Sequence, residues 1–287
     1  MMKQGDIQTA VVRDEQAEAL YVQISDQILT LPKEGLTKPY PAIGEQVEGM
    51  VYMDRNQQWC FQVTLPDSRL DAFGWGVVVD VRRDLGAFLD IGLVNKDVPV
   101  SLDELPLIQD EWPQIGDRLL VQLSTDRKNR LWANLAKKEE ASAYTRKAPA
   151  RLANQDIHAT VYQLIRDGAL AISTEGYQCF LHESEQLVPV RLGEVLAARV
   201  VDTHLDGRLN LSTRPRAHEA LEGDATMILR ILEKDPTGFL PLHDKSKPAD
   251  IQALLGISKG QFKRAVGNLM KQGLIEQVKG EGLYLQK

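Results

Sequence analysis

Gly86-Ala-Phe-Leu-Asp-Ile91 alternates residue by residue: Ala87, Leu89 and Ile91 fall on one face of an extended chain, Phe88 and Asp90 on the other. An apolar run, Val77-Val-Val-Asp-Val81, precedes it across the turn residues Arg83-Asp84. A short run, Val98-Pro-Val-Ser101, follows and leads into an acidic, proline-containing connection. Gly116-Asp117 then opens Arg118-Leu-Leu-Val-Gln-Leu123, in which Leu119, Val121 and Leu123 share a face. After the turn Asp126-Arg-Lys-Asn129, Arg130-Leu-Trp-Ala-Asn-Leu135 ends the unit. Five short strands, each with one apolar face, predict a small closed barrel over 66–136, because closure removes the sheet edges an open meander would expose.

The same order recurs on both sides. In residues 1–65, Thr9-Ala-Val-Val12, Ala19-Leu-Tyr-Val-Gln-Ile24, Ile28-Leu-Thr-Leu31, the run from Gly44 through Val51-Tyr52, and Trp59-Cys-Phe-Gln-Val63 make a shorter, divergent copy. A structural cap or dimerisation barrel without ligand is weighed above a binding role for this copy. Residues 137–153, with Lys137-Lys-Glu-Glu140 and Lys147-Ala-Pro-Ala-Arg151, read as a charged helix or linker. A third copy occupies 154–214: Ala159-Thr-Val-Tyr-Gln-Leu164, Gly168-Ala-Leu-Ala-Ile172, Tyr177-Gln-Cys-Phe-Leu-His-Glu-Ser184, Gly193-Glu194 and Gly207-Arg-Leu-Asn-Leu-Ser212. Three copies spaced by roughly 75 residues are a repeat of a whole domain.

Gly86–Ile91, Val100-Ser101 before an acidic turn, and Gly-Asp before the fourth strand resemble the S1 RNA-binding domain. The resemblance implies a five-stranded OB-type barrel. One departure is Pro99, beside the third strand, where an S1 domain often carries His. His182-Glu-Ser-Glu185 and Leu209-Asn-Leu-Ser212 lie closer to the S1 pattern, but Leu170 replaces the aromatic of the second strand there.

After Pro215 the apolar period changes from two to about 3.6. Met227, Ile228, Ile231 and Leu232 stripe a first helix, and Phe239-Leu240 follow as a short strand. Pro248 starts a second helix with Ile251, Leu254 and Leu255 inward, ended by Gly256. Ser258-Lys-Gly-Gln261 is a capping-box pattern that opens a third helix striped by Phe262, Ala265, Val266, Leu269 and Met270. Leu274–Lys279 and Gly282–Leu285 then form a hairpin around Gly280-Glu281. Residues 216–287 therefore predict a winged helix-turn-helix, and the fold class is multidomain and mostly β: three OB-type barrels, then an α/β winged helix.

The net charge of −6 argues against a chain that binds polyanions over its whole surface. Residues 216–287 hold eleven Lys/Arg against nine Asp/Glu, so nucleic acid would be held by local patches. No apolar run approaches the roughly 20 residues of a membrane span, and the amino terminus shows no signal-peptide pattern. Cys60 and Cys179 have no metal-ligand spacing and the five histidines do not cluster, so no metal is expected. No P-loop, Gly-x-Ser-x-Gly or nuclease-type carboxylate pair is present, and the expectation is a non-enzyme without cofactor or small-molecule substrate.

The outward parity of the second barrel collects Arg82, Phe88, Arg130 and Trp132, an aromatic-plus-arginine set suited to stacking unpaired bases. The alternative is that Phe88 and Trp132 bury against a neighbouring barrel or the linker. In the third barrel Phe180 and His182 share a face, with Arg208 ahead of the last strand. On the third C-terminal helix Lys259, Lys263, Arg264 and Lys271 lie off the apolar stripe, and Lys279 at the hairpin tip extends the patch. Solvated lysines of an ordinary surface helix are the alternative there.

The domain order, with Trp112-Pro-Gln-Ile-Gly-Asp117, Phe180-Leu-His-Glu-Ser-Glu185 and Ser258-Lys-Gly-Gln-Phe-Lys-Arg264, resembles the bacterial conserved virulence factor B family over nearly the whole chain. The resemblance implies a cytoplasmic, non-enzymatic RNA-binding protein that influences gene expression. Single-stranded RNA is the expected partner. The rival readings are a DNA-binding transcription regulator that uses the winged helix, and a protein-interaction module on the ribosome or RNA-degradation machinery.

Overall fold

The glycine that opens the motif at Gly86 is there because the next strand passes too close for a side chain. In the computed structural model, which describes residues 2–286 and only the backbone of 217–222, Gly86 has φ +120°, and a Cβ on it would sit 2.1 Å from the carbonyl oxygen of Val100. Gly168 opens the equivalent strand of the third copy at φ +149°, with a Cβ 2.2 Å from the Leu181 carbonyl oxygen. Two compact units result, Met1–Arg214 and Pro215–Lys287.

The first unit contains three barrels. Strands β1 (Ile7–Glu15), β2 (Ala19–Ile24), β3 (Gln27–Pro32), β4 (Gln46–Met53) and β5 (Trp59–Gln62) close in the order β1-β2-β3-β5-β4. The second barrel comprises β6 (Phe73–Arg82), β7 (Gly86–Asp90), β8 (Val98–Ser101), β9 (Arg118–Thr125) and β10 (Leu131–Leu135). Helix α1 (Lys138–Ser142) lies in the connection to β11 (Asp156–Ile165), β12 (Gly168–Ser173), β13 (Gln178–His182), β14 (Val195–Thr203) and β15 (Leu209–Ser212), which close as the first barrel does. Each first strand carries a register shift, at Val12/Asp14, Val78/Asp80 and Val161/Gln163, that bends it so that it pairs with both the second and the fourth strand.

The second barrel departs from the closure expected of it. Its ladder runs β10-β9-β6-β7-β8, and β8 and β10 adjoin without pairing. Pro99 is the physical reason. It stands opposite Phe88 in the β7–β8 ladder, as Phe180 stands opposite Leu170 in the third barrel, where Phe180 also pairs with Asn210. Proline has no N–H to give to that second partner.

The barrels are fused. Met50, Tyr52 and Cys60 of the first belong to the same buried cluster as Val78, Leu89 and Val121 of the second. The Tyr52 hydroxyl donates to the Val94 carbonyl at 2.9 Å, and the Gln62 amide donates to the Gly92 carbonyl at 2.7 Å. Gln4, almost fully buried, accepts from the Met53 N–H at 2.9 Å, and its own backbone N–H donates to the Asn129 side chain at 3.0 Å. The second and third barrels are joined by Arg191, whose Nε and Nη2 donate to the two oxygens of Asp117 at 2.8 and 2.9 Å. That carboxylate, aided by Glu194, raises the affinity of the Arg191 guanidinium for its proton.

The second unit holds α2 (Ala217–Lys234), β16 (Phe239–Leu240), α3 (Pro248–Leu255), α4 (Lys259–Lys271), β17 (Ile275–Val278) and β18 (Gly282–Leu285), with sheet order β16-β18-β17: a winged helix. Ser258 caps α4 by accepting from the Gln261 N–H, while the Gln261 side chain accepts from the Ser258 N–H. Two expected core positions lie outside the core. Leu254 is 55% exposed and Met270 45% exposed, since Ile251 with Leu255, and Phe262 with Ala265, Val266 and Leu269, fill the apolar faces and leave those two at the stripe edges.

Candidate nucleic-acid interface

The open face of the second barrel is built from one row of side chains crossing its strands. Asp80 on β6, Phe88 on β7 and Pro99 on β8 are direct cross-strand neighbours, and β10 brings Trp132 alongside β8. Phe88 and Trp132 are half-buried, neither core nor free in solvent. Each aromatic ring carries a guanidinium: Arg82 lies 5.0 Å from the Phe88 centroid and Arg130 5.7 Å from that of Trp132. Each guanidinium is held by an acid, Arg82 by Asp80 at 2.8 Å and Arg130 by Asp126 at 2.7 Å.

Asp126 is the most heavily used of these groups. It accepts the backbone N–H groups of Arg130 and Lys128, the Arg130 side chain, and the Trp132 indole N–H at 3.4 Å. Those donors, the Arg130 N–H foremost, lower its carboxyl pKa to about 2. The structure therefore brings Arg82 to Phe88 and Arg130 to Trp132. The two acids are legible by spacing: Asp80-x-Arg82 places both side chains on one face of a strand, and Asp126 to Arg130 spans a hairpin turn.

The equivalent face of the first barrel is covered at one end only: Tyr21, which pairs with Asp14 and Thr30 as Phe88 pairs with Asp80 and Pro99, is half-buried. Cys60 occupies the place of Trp132 and is 5% exposed, and it packs with Tyr52 in the shared core. Burial pushes the Cys60 thiol up to about 11 and the Cys179 thiol up to about 12. In the third barrel Phe180 is half-buried and its ring lies edge-on to exposed His182 at 6.0 Å. The His182 Nδ1 accepts from the Ser184 N–H, which caps the turn after β13. Arg208 is exposed and ion-paired to Asp206 at 2.7 Å, repeating the Arg130 arrangement.

On the winged helix, Lys263, Arg264, Lys271 and Lys279 are exposed, whereas Lys259 is not a free cation: its Nζ donates to the Ser246 carbonyl at 2.8 Å and ties α4 to the segment before α3. Lys263 lines a groove of about 250 Å³ together with Met270 and Gln277. Among the described residues no group of three or more His, Cys, Asp or Glu side chains is placed to hold a metal, and no helix is long and apolar enough to cross a membrane.

Comparison with known proteins follows this division. Residues 4–61 match the S1 domain, 73–134 the family described as CvfB first S1-like domain, 141–215 the second domain of the virulence regulatory factor CvfB, and 226–285 the CvfB-like winged helix domain. The chain is 37% identical over 236 residues to the uncharacterized protein YitL of Bacillus subtilis, covering 82% of this chain and 78% of that one. It is 37% identical over 235 residues to conserved virulence factor B of Staphylococcus aureus, covering 81% and 77%. A crystal structure of a multidomain protein with nucleic acid binding domains from Streptococcus pneumoniae superposes with a TM-score of 0.71 at 40% identity, covering 99% of this chain and 98% of that one.

Proposed function

The chain belongs to the conserved virulence factor B family, and from that premise we propose that it binds single-stranded RNA on the open face of its second barrel, in the cytoplasm, as a non-enzymatic post-transcriptional regulator of gene expression. The observation that carries this reading is the pair of aromatic rings, Phe88 and Trp132, each with an arginine fixed over it by a carboxylate. An unpaired base has a π-face for a ring and for a guanidinium plane alike, and a double helix does not expose one. The acids hold both arginines in place before ligand arrives, which reduces the ordering entropy that binding must overcome. Phe180, His182 and Arg208 offer further contacts on the third barrel. Lys263, Arg264, Lys271 and Lys279 of the winged helix neutralise phosphates, with little sequence readout.

The reading is tested by titrating labelled pyrimidine-rich single-stranded RNA and duplex DNA of equal length at two salt concentrations. RNA should bind more tightly, with affinity falling linearly in log salt as counterions are released. Phe88→Ala and Trp132→Ala should each weaken RNA binding by about 1–3 kcal/mol, with little change in thermal stability. A large loss of stability in these variants would make the two rings structural and remove the platform. Equal or tighter binding to duplex DNA would transfer the function to a transcription regulator acting through the winged helix.

A further inference from the structure

The second and third barrels present the same face in two different states. Leu170, the counterpart of Phe88, is 5% exposed, because the linker helix α1 packs there. Ala141 of α1 is wholly buried in one cluster with Leu170, Ile172 and Tyr162, against which Phe180 packs. Beyond this contact the connection is pinned to both barrels. The Tyr144 hydroxyl accepts from the Phe73 N–H at 2.8 Å, and the backbone N–H groups of Arg146 and Ala148 donate to the carbonyls of Gly176 and Gly207 at 2.9 and 3.1 Å. Between this roof and the barrel a pocket of about 330 Å³ remains.

The lining of that pocket is selective. Ile165, Leu170 and the Phe180 ring form an apolar wall. Asn210, part-buried, offers a carboxamide with no hydrogen-bond partner among the described residues. Lys138, which makes no ion pair among the described residues, and Arg208, paired to Asp206 at 2.7 Å, stand at the rim, and Gln178 and His204 complete the polar lining. An aromatic surface, a free amide and two cations are the complement of a base with its phosphate. The size lies at the lower end of the 300–1,000 Å³ usual for ligand pockets, enough for one nucleotide and not for a stacked run. The adjoining groove shares Lys138, Gln178 and Arg208 but adds Glu139, whose carboxylate disfavours a phosphodiester chain continuing that way.

We propose that the roofed face of the third barrel is a single-nucleotide pocket, in which Phe180 and Leu170 hold the base, Asn210 reads its edge, and Lys138 and Arg208 take the phosphate. This rests on the single-strand reading of the second barrel and gives the third barrel a different role, that of taking one nucleotide at a time. The occupant is either a free mononucleotide or one nucleotide of the bound strand, and the experiment separates the two.

The full chain is titrated by calorimetry with AMP, GMP, CMP and UMP, and by fluorescence polarisation with labelled decauridylate. Wild type is compared with Asn210→Ala and with the combination Lys138→Gln, Arg208→Gln and Asn210→Ala, all at exposed or part-exposed positions. Binding of a mononucleotide that weakens at least tenfold in the triple variant and at least threefold in Asn210→Ala assigns the pocket to a free nucleotide. No mononucleotide binding, with the same two losses for decauridylate, assigns it to a residue of the strand. A loss in the triple variant without one in Asn210→Ala reports charge alone and overturns the proposal, as does no loss for either ligand. Phe88→Ala with Trp132→Ala judges the second barrel independently: decauridylate affinity lost there and unchanged in the triple variant leaves the RNA reading standing without the pocket.

Discussion

At Asp126 a hairpin turn and the proposed binding face are one piece of chemistry. The carboxylate that accepts the turn N–H groups of Lys128 and Arg130 also sets the Arg130 guanidinium over Trp132. Asp206 repeats the arrangement with the Arg208 N–H and side chain, and its pKa is lowered by the same donors. Both carboxyls stay charged well below neutral pH, so the arginines they hold keep their orientation across the physiological range. The pattern is legible in sequence once the turn is placed, because the acid and the arginine lie at most four residues apart. Gly86 is legible only in part: alternation locates it, but the 2.1 Å approach of the Val100 carbonyl is a property of the fold. Gly86→Ala should therefore destabilise the protein by about 3 kcal/mol or more, measured by urea unfolding, through both positive φ and backbone collision. A loss under about 1 kcal/mol would mean that β8 shifts away freely.

At the scale of elements, α4 shows how a basic helix divides its cations. Lys259 is used inside its own domain, on the Ser246 carbonyl, whereas Lys263, Arg264 and Lys271 face outward. Changing those three to Gln should leave the Phe262–Leu269 core intact and lower the salt slope of single-strand RNA binding by about 0.7 per residue, roughly 2 in total. The loss should be nearly uniform across sequences, since phosphate contacts position a strand without reading it. An unchanged slope in a folded triple variant would make the winged helix a structural or protein-docking domain. The linker helix α1 is the element whose role the sequence concealed. Five residues with one buried alanine give no amphipathic signal, yet Ala141 decides which barrel face is roofed.

For the whole molecule, the three barrels act as one body because their contacts are polar as well as apolar. The first barrel gives one end of its face, at Tyr52 and Cys60, to the core of the second. The Asp117–Arg191 bridge does the corresponding work between the second and third. Arg191→Ala leaves Asp117, a largely buried carboxylate, without its bidentate partner and should cost about 2–3 kcal/mol. Thermal unfolding should then show the third barrel melting ahead of the other two. A single transition at the wild-type temperature would show that apolar packing alone couples them.

The amino-acid sequence determined by itself that the chain is three S1-like barrels and a winged helix, because periods of two and 3.6, turn glycines and capping residues are local and survive as pattern. It also located the two aromatic and two arginine side chains of the second barrel, since strand parity sends Phe88 outward as surely as it sends Leu89 inward. Only the tertiary structure decided which copies of that face remain open. Tyr52 and Cys60 look in sequence like any strand residues, and what covers them is Val94, 42 residues beyond Tyr52, and the core of the next barrel. Leu170 is covered by a helix too short to announce itself. Exposure is a sum over contacts distant in sequence, and no local pattern carries that sum.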